Sequence, residues 1–230
     1  MNIIFTDTIG IAKEYYPSPA SQNIPEWYKK MESYTNNLKK PPKEGTSATI
    51  KKCMPIFDTI ISGYIIYTHS DVYVSQVNNS PYYQWANNDA VKFHGVSQAP
   101  EHPERKNLKE GDLYPKWINP WSIETPKGYS TFFTQPMHRE SVFTIFDGIV
   151  DTDKYNAPIH FPFVLKDWGF EGLIPAGTPM AQVIPFKRDS WEMQIGNQYN
   201  LEKQRNQSKY IRSVFFDAYK YKFRQKKEYK

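Results

Sequence analysis

The sequence predicts a mainly β body carrying an amino-terminal arm and a carboxy-terminal helix. Three observations lead there. Runs rich in Ile, Val, Tyr, Phe and Thr, with polar residues between them, recur from Thr59 to Phe186, a composition suited to a pleated, half-buried surface. Turn formers such as Pro126-Lys127-Gly128 and Pro175-Ala176-Gly177 punctuate these runs. The stretch from Asn200 to Lys226 then contains no Pro or Gly and carries Ile211, Val214, Phe215, Ala218 and Tyr221 or Lys222 at helical spacing.

Residues 1–49 read as an arm, because Tyr16-Pro17-Ser18-Pro19 and Ile24-Pro25 interrupt regular structure. Within it a short helix is expected over 26–37, opening after Pro25 and docking Trp27, Tyr28 and Met31. A polar linker, Lys39-Lys40-Pro41-Pro42-Lys43-Glu44-Gly45, follows. The body is expected over 50–192. Its first strands are placed at 59–68 and 71–77, joined near His69-Ser70. Residues 78–120 hold so many turn formers, including Asn78-Asn79-Ser80-Pro81 and Asn119-Pro120, that they read as an irregular insertion. Further strands are expected at 122–125, 129–134, 142–145, 159–164 and 180–186, and a basic helix over 193–230.

At 230 residues the chain can bury one substantial core, and with 17 Tyr, 14 Phe and 6 Trp the aromatic rings must fill an unusual share of it. No apolar run is long enough to span a bilayer, and the first residues lack the pattern of a signal peptide, so a soluble, cytoplasmic protein without a membrane partner is expected. The single cysteine, Cys53, agrees with a reducing compartment and reads as structural. Five scattered histidines show no paired metal-ligand spacing, so no metal site is expected from them.

The formal charge of +5 is uneven: residues 201–230 hold ten Lys or Arg against Glu202, Asp217 and Glu228, a local +7. Lys220, Lys222, Arg224, Lys226 and Lys227 alternate with Tyr219, Tyr221 and Phe223. Such a tail offers cations to phosphates and rings to bases, or serves as a solvated or protein-docking helix. No nucleic-acid motif accompanies it.

Four segments carry a family likeness. Gly63-Tyr64-Ile65-Ile66-Tyr67, the Pro126-Lys127-Gly128 turn, Gly148-Ile149-Val150-Asp151-Thr152-Asp153 and Gly177-Thr178-Pro179-Met180-Ala181-Gln182-Val183-Ile184 together resemble the motifs of the dUTPase and dCTP deaminase superfamily. Residues 50–190 also resemble a family of phage and bacterial proteins sharing the Lys-Lys-Cys-x-Pro, Gly-Tyr-Ile-Ile, Asn-Pro-Trp and Gly-x-Val-Asp-Thr-Asp framework. The likeness implies a dUTPase-like β-clip body, a homotrimer, and a viral source with residence in host cytoplasm or virion.

It also implies roles for particular residues. Asp151 is the counterpart of the carboxylate that orients the attacking water, with Asp153 beside it. Tyr155 would cover the nucleoside, given one inserted residue, since ungapped alignment places Lys154 there. Gln182 would contact phosphate, and Arg139 would supply a cation where Gln135-Pro136 replaces the usual phosphate-gripping serine. Two departures stand against these. Ile65 occupies the position of an Asp that serves the metal-triphosphate, and the glycine-rich carboxy-terminal motif is replaced by the basic helix. The expected function is therefore a catalytically diverged dUTPase-like protein with a binding, assembly or structural role toward itself, a viral or host protein, or nucleic acid through the tail. The alternative is a pyrimidine deoxynucleotide hydrolase (pyrophosphatase) or deaminase-related enzyme using Mg²⁺ and rearranged phosphate contacts.

Overall fold

The computed structural model describes residues 1–10, 14–35, 48–86, 89–95, 113–213 and 217–230. They form two units that interleave along the chain, residues 1–23 with 62–188 and residues 24–61 with 189–228. Residues 1–23 thus fall in the first unit and residues 24–61 in the second.

In the first unit every described strand pair is antiparallel. In chain order its strands are β1 (Ile4–Asp7), β2 (Ser18–Pro19), β3 (Tyr64–Tyr67), β4 (Val72–Val77), β5 (Ser80–Trp85), β6 (Val91–Gly95), β7 (Leu113–Trp117), β8 (Trp121–Glu124), β9 (Tyr129–Thr134), β10 (Phe143–Ile145), β11 (Gly148–Val150), β12 (Phe161–Leu165), β13 (Gly172–Ile174) and β14 (Pro179–Lys187). They assemble into sheets ordered β1-β8, β10-β12-β7-β6, β11-β9-β14-β3-β2 and β13-β4-β5. The amino terminus is built in: Ile4 pairs with Glu124, and Ser18 pairs with Ile65. β3 and β4 are consecutive but enter different sheets.

Alternation along the strands supplies the core. Val72 and Val74 point inward from β4, and Phe161 and Phe163 from β12, all at most 2 % exposed. Trp117 stacks on Phe163 with centroids 4.5 Å apart, and Phe143 meets both rings. The aromatic share expected from composition takes the form of interlocking rings set among aliphatic side chains such as Ile66, Val72, Ile145 and Val183.

Two glycines are dictated by space. Gly63 has φ +69°, and a Cβ there would lie 1.9 Å from the Val183 carbonyl oxygen, so no other residue lets β3 enter beside β14. Gly177 has φ +81°, with the Tyr15 ring 2.7 Å from where its Cβ would be.

Several expectations are corrected. The strand expected at 59–68 begins only at Tyr64, because Met54–Ile61 is helical. Its Ile56, Phe57, Ile60 and Ile61 repeat at four-residue spacing and join one cluster, which outweighs the β preference of Thr59, Ile60 and Ile61. The stretch 78–120 contains β5, β6 and β7, while 87–88 and 96–112 lie outside the described residues. Asn78 and Asn79, at φ 52° and 61°, form the two-residue loop that folds β5 back on β4. Pro81 sits in an edge strand, and Pro115 lies where β12, which meets β7 only at Lys116 and Trp117, no longer runs beside it. Both prolines are accommodated because no ladder donor is required of them.

The second unit is helical: α1 (Glu26–Lys30), α2 (Met54–Ile61) and α3 (Gln198–Ser213), with a π-helical turn at Tyr219–Phe223. The helix expected over 26–37 stops at Lys30. The Lys51 ammonium caps the carbonyls of Lys29 and Met31, and Tyr34 turns away to bridge Ala48. Of the expected docked face, Tyr28 stacks on Phe57 and donates its hydroxyl to the Lys51 carbonyl. The continuous helix expected to Lys226 ends at Ser213. Val214 and Phe215 lie outside the described residues, and Ile211 and Tyr221 are 41 % and 77 % exposed rather than forming a buried stripe.

Candidate functional site

The turn after β11 is built on backbone bonds, with the amides of Lys154 and Tyr155 both donating to the Asp151 carbonyl at 2.9 Å. Thr152, at the centre, is fully buried and shares its hydroxyl with Thr125 at 2.7 Å and Thr131 at 2.8 Å. This buried threonine network holds the two flanking aspartates in fixed positions.

Both aspartates converge on Arg188, which continues directly from β14. Arg188 Nη1 lies 2.8 Å from Asp153 Oδ1 and 3.0 Å from Asp151 Oδ1, and Nη2 bonds Asp153 Oδ2. The Gly128 amide donates to Asp153 Oδ2 at 2.8 Å, the Ser130 hydroxyl donates to Asp151 Oδ1 at 2.6 Å, and the Arg188 amide donates to the Gly128 carbonyl at 2.9 Å. The Pro126–Gly128 turn, the aspartate turn and the end of β14 are therefore buckled together by one guanidinium.

The electrostatics follow from these contacts. The Arg188 guanidinium and the Gly128 amide bring the Asp153 carboxyl down to about 2. The Ser130 hydroxyl bond, with Arg188 behind it, holds Asp151 below its ordinary value. In return Asp153 foremost, and Asp151, push Arg188 upward. Asp153 has its side chain 2 % exposed, whereas Asp151 is 53 % exposed. A general base works best with a proton affinity near the operating pH, so a carboxylate lowered by a hydrogen bond and an ion pair is a poorer base than a free one.

Of the remaining expected site residues, Tyr155 follows in the same turn, whereas Gln182 and Arg139 bond to other parts of the chain. Tyr155 is 52 % exposed. Gln182 is fully buried in β14, accepting from the Met137 amide at 2.9 Å and donating to the Ser62 carbonyl at 2.7 Å. Arg139 points its guanidinium at carbonyls, with Nη2 2.8 Å from that of Asn23 and Nη1 3.2 Å from that of Met137. Gln182 and Arg139 thus meet at the Met137 peptide, where they tie down the loop after β9. Ile65 is completely buried in β3, opposite Gln182.

The basic tail is likewise engaged. Arg224 and Lys227 both pair with Asp58 of α2, at 2.6 Å and 2.9 Å. Arg224 lies over the Phe57 ring, Lys222 over Tyr210 at 3.8 Å and Lys220 over Tyr221, and Lys226 pairs with Glu228. Burial pushes the Asp58 carboxyl up, but Arg224 and Lys227 outweigh it and hold it below its ordinary value. Among the described residues no helix is long and apolar enough to cross a membrane, and no group of three His, Cys, Asp or Glu is placed to hold a metal ion.

Sequence reasoning missed Arg188 and Asp58. Arg188 stands in no short motif, and only the pairing of Lys187 with Tyr129 carries it to the aspartates. Asp58 lay inside a run read as approaching a strand, so its place on a helix could not be anticipated. No protein-family model matches the chain, and no curated protein matches it.

Proposed function

We propose that this chain is a catalytically diverged relative of the dUTPase and dCTP deaminase superfamily whose work is binding or assembly. The observation that carries this reading is Arg188, which engages both carboxylates that the hydrolytic reading needs. Gln182 and Arg139 direct polar atoms to the protein's own backbone, and Ile65 offers no oxygen to a metal. The four motif segments then persist for structural reasons: Gly63 and Gly177 for close approach, and Asp151 and Asp153 as parts of a buckle. Trimeric assembly and a viral source belong to the same proposal, and sedimentation of the purified chain tests the first.

The alternative reading, a nucleotide hydrolase, draws support from the exposure of Asp151, which leaves its carboxylate open to a water. The experiment is a Mg²⁺-dependent turnover assay across the deoxynucleoside triphosphates, with Asp151→Asn as control. The expected result is no enzyme-like turnover. Turnover that Asp151→Asn abolishes would overturn the proposal in favour of the alternative.

A further inference from the structure

Residues 189–197, between β14 and α3, lie outside helix and strand, and their apolar side chains face solvent: Trp191 is 91 % exposed, Met193 86 % and Ile195 86 %. They alternate with Glu192 and Gln194, the two-residue period of a strand with one buried face. Among the described residues none buries that face. Three such side chains left in water forgo the stabilisation that drives most association, and grouped exposure of this kind marks an interaction site.

A second apolar surface lies on the β unit. On the side of β13-β4-β5 away from Val72 and Val74, Leu173 stands opposite Tyr73 and Ser75 opposite Tyr82, with Val77 two residues beyond Ser75. Tyr73, Val77, Tyr82 and Leu173 are each about half exposed. The other side chains on these two strands of that side, Ser75, Ser80 and Gln84, are uncharged. The solvent side of an antiparallel sheet is ordinarily polar. This one presents no charge to water and no ion to a partner, so its complement is apolar.

We propose that the two surfaces complete one another between copies of this chain, Trp191, Met193 and Ile195 of one copy packing on Tyr73, Val77, Tyr82 and Leu173 of another. Size selects this occupant. Covering the three side chains removes about 400 Å² from the segment and a like area from the sheet, so one contact buries about 800 Å², no more than a crystal contact. A partner that takes up only one of the surfaces gains only that from it. Copies of the chain carry both surfaces, so each copy takes part in two contacts that together bury about 1,600 Å², the size of a stable interface. The contact joins unlike surfaces and closes as a reciprocal pair or as a ring. It names the partner in the assembly reading above and rests on that part of it, whereas nucleotide turnover tests Asp151 and leaves this contact standing.

The test is sedimentation equilibrium of the full chain at about 10 μM, since interfaces of this size hold at micromolar concentration or below. The parent is expected to assemble. Trp191→Ser with Ile195→Ser, and separately Tyr73→Lys with Leu173→Lys, should each weaken association by at least about a hundred-fold, the loss of two buried anchors. Far-ultraviolet circular dichroism should be unchanged in both, because all four positions are exposed. Disulfide trapping then identifies the contact. In a Cys53→Ser background that removes the exposed native thiol, a chain with Met193→Cys is mixed under oxidation with a tagged chain carrying Ser75→Cys, and a linked pair is expected. Ile149→Cys, exposed on β11, replaces Ser75→Cys as the control and should give none. A monomeric parent, an assembly indifferent to both pairs of substitutions, or trapping no stronger at Ser75→Cys than at Ile149→Cys would overturn the proposal. An assembly that resists the substitutions discards this contact alone and keeps the assembly reading.

Discussion

Replacing Gln182 by Leu separates a structural role from a ligand-contacting one. The side chain is fully buried and bridges the Met137 amide and the Ser62 carbonyl. Leucine has similar bulk but no polar atoms, so both backbone groups lose a partner in the interior. Each such loss costs on the order of 1 to 3 kcal/mol, and the apolar gain of burying leucine offsets about 1 kcal/mol. The net expectation is a loss of about 3 kcal/mol. For a chain of this size each kcal/mol lowers the melting temperature by roughly 2 to 4 °C, giving a drop of about 6 to 12 °C, readable by calorimetry or circular dichroism. Gln182→Glu should also destabilise at neutral pH, because a carboxylate cannot donate to the Ser62 carbonyl, and should recover in part as the carboxyl protonates. A melt of Gln182→Leu indistinguishable from the parent would refute this reasoning and return Gln182 to the ligand contacts.

Asp58→Asn leaves Arg224, only 12 % exposed, without its anionic partner and should cost about 3 kcal/mol in urea denaturation; Arg224→Met should cost less in that background than alone. Asp58 and Asp153 both have carboxyls held below the ordinary value of 3.8, Asp153 at about 2. The stability they confer is fully present above 3.8 and is lost as pH falls toward 2. A melting temperature that declines across that window, with a shallower decline in Arg188→Gln, is the expected outcome of an acid titration followed by circular dichroism. Gly63→Ala places a methyl 1.9 Å from the Val183 carbonyl oxygen at a positive φ and should cost at least about 3 kcal/mol, whereas Gly128→Ala meets no atom within 4 Å and should bear only the smaller cost of its positive φ. Equal melting temperatures for the two variants would contradict the packing described.

Several elements were legible because their signals are local. β9 falls at the residues expected, and β4, β8, β10, β12 and β14 within a residue or two, because alternating apolar residues between Gly and Pro turns determine a strand largely by themselves. Asn78-Asn79 was an equally local hairpin signal, obscured by the density of turn formers around it. Misreadings arose where local preference and tertiary packing disagree. Thr59, Ile60 and Ile61 favour strand by type but are helical because Tyr28, Ile56 and Phe57 offer them a face to bury. The amino-terminal residues 4–7 and 18–19 look like arm by composition and are strands because β8 and β3 present them with open edges.

The site divides in the same way. The motif resemblance marked Asp151, Asp153, Gln182 and Arg139 as residues of consequence, since motif residues are visible in a linear string. What each of them does was decided by partners far along the chain. Arg188 lies 37 residues after Asp151 and 35 after Asp153, Ser62 lies 120 before Gln182, and Asn23 lies 116 before Arg139. A side chain's chemistry is set by what compensates its charge and hydrogen bonds. Sequence specifies which groups are present, and only the folded chain determines which of them satisfy one another.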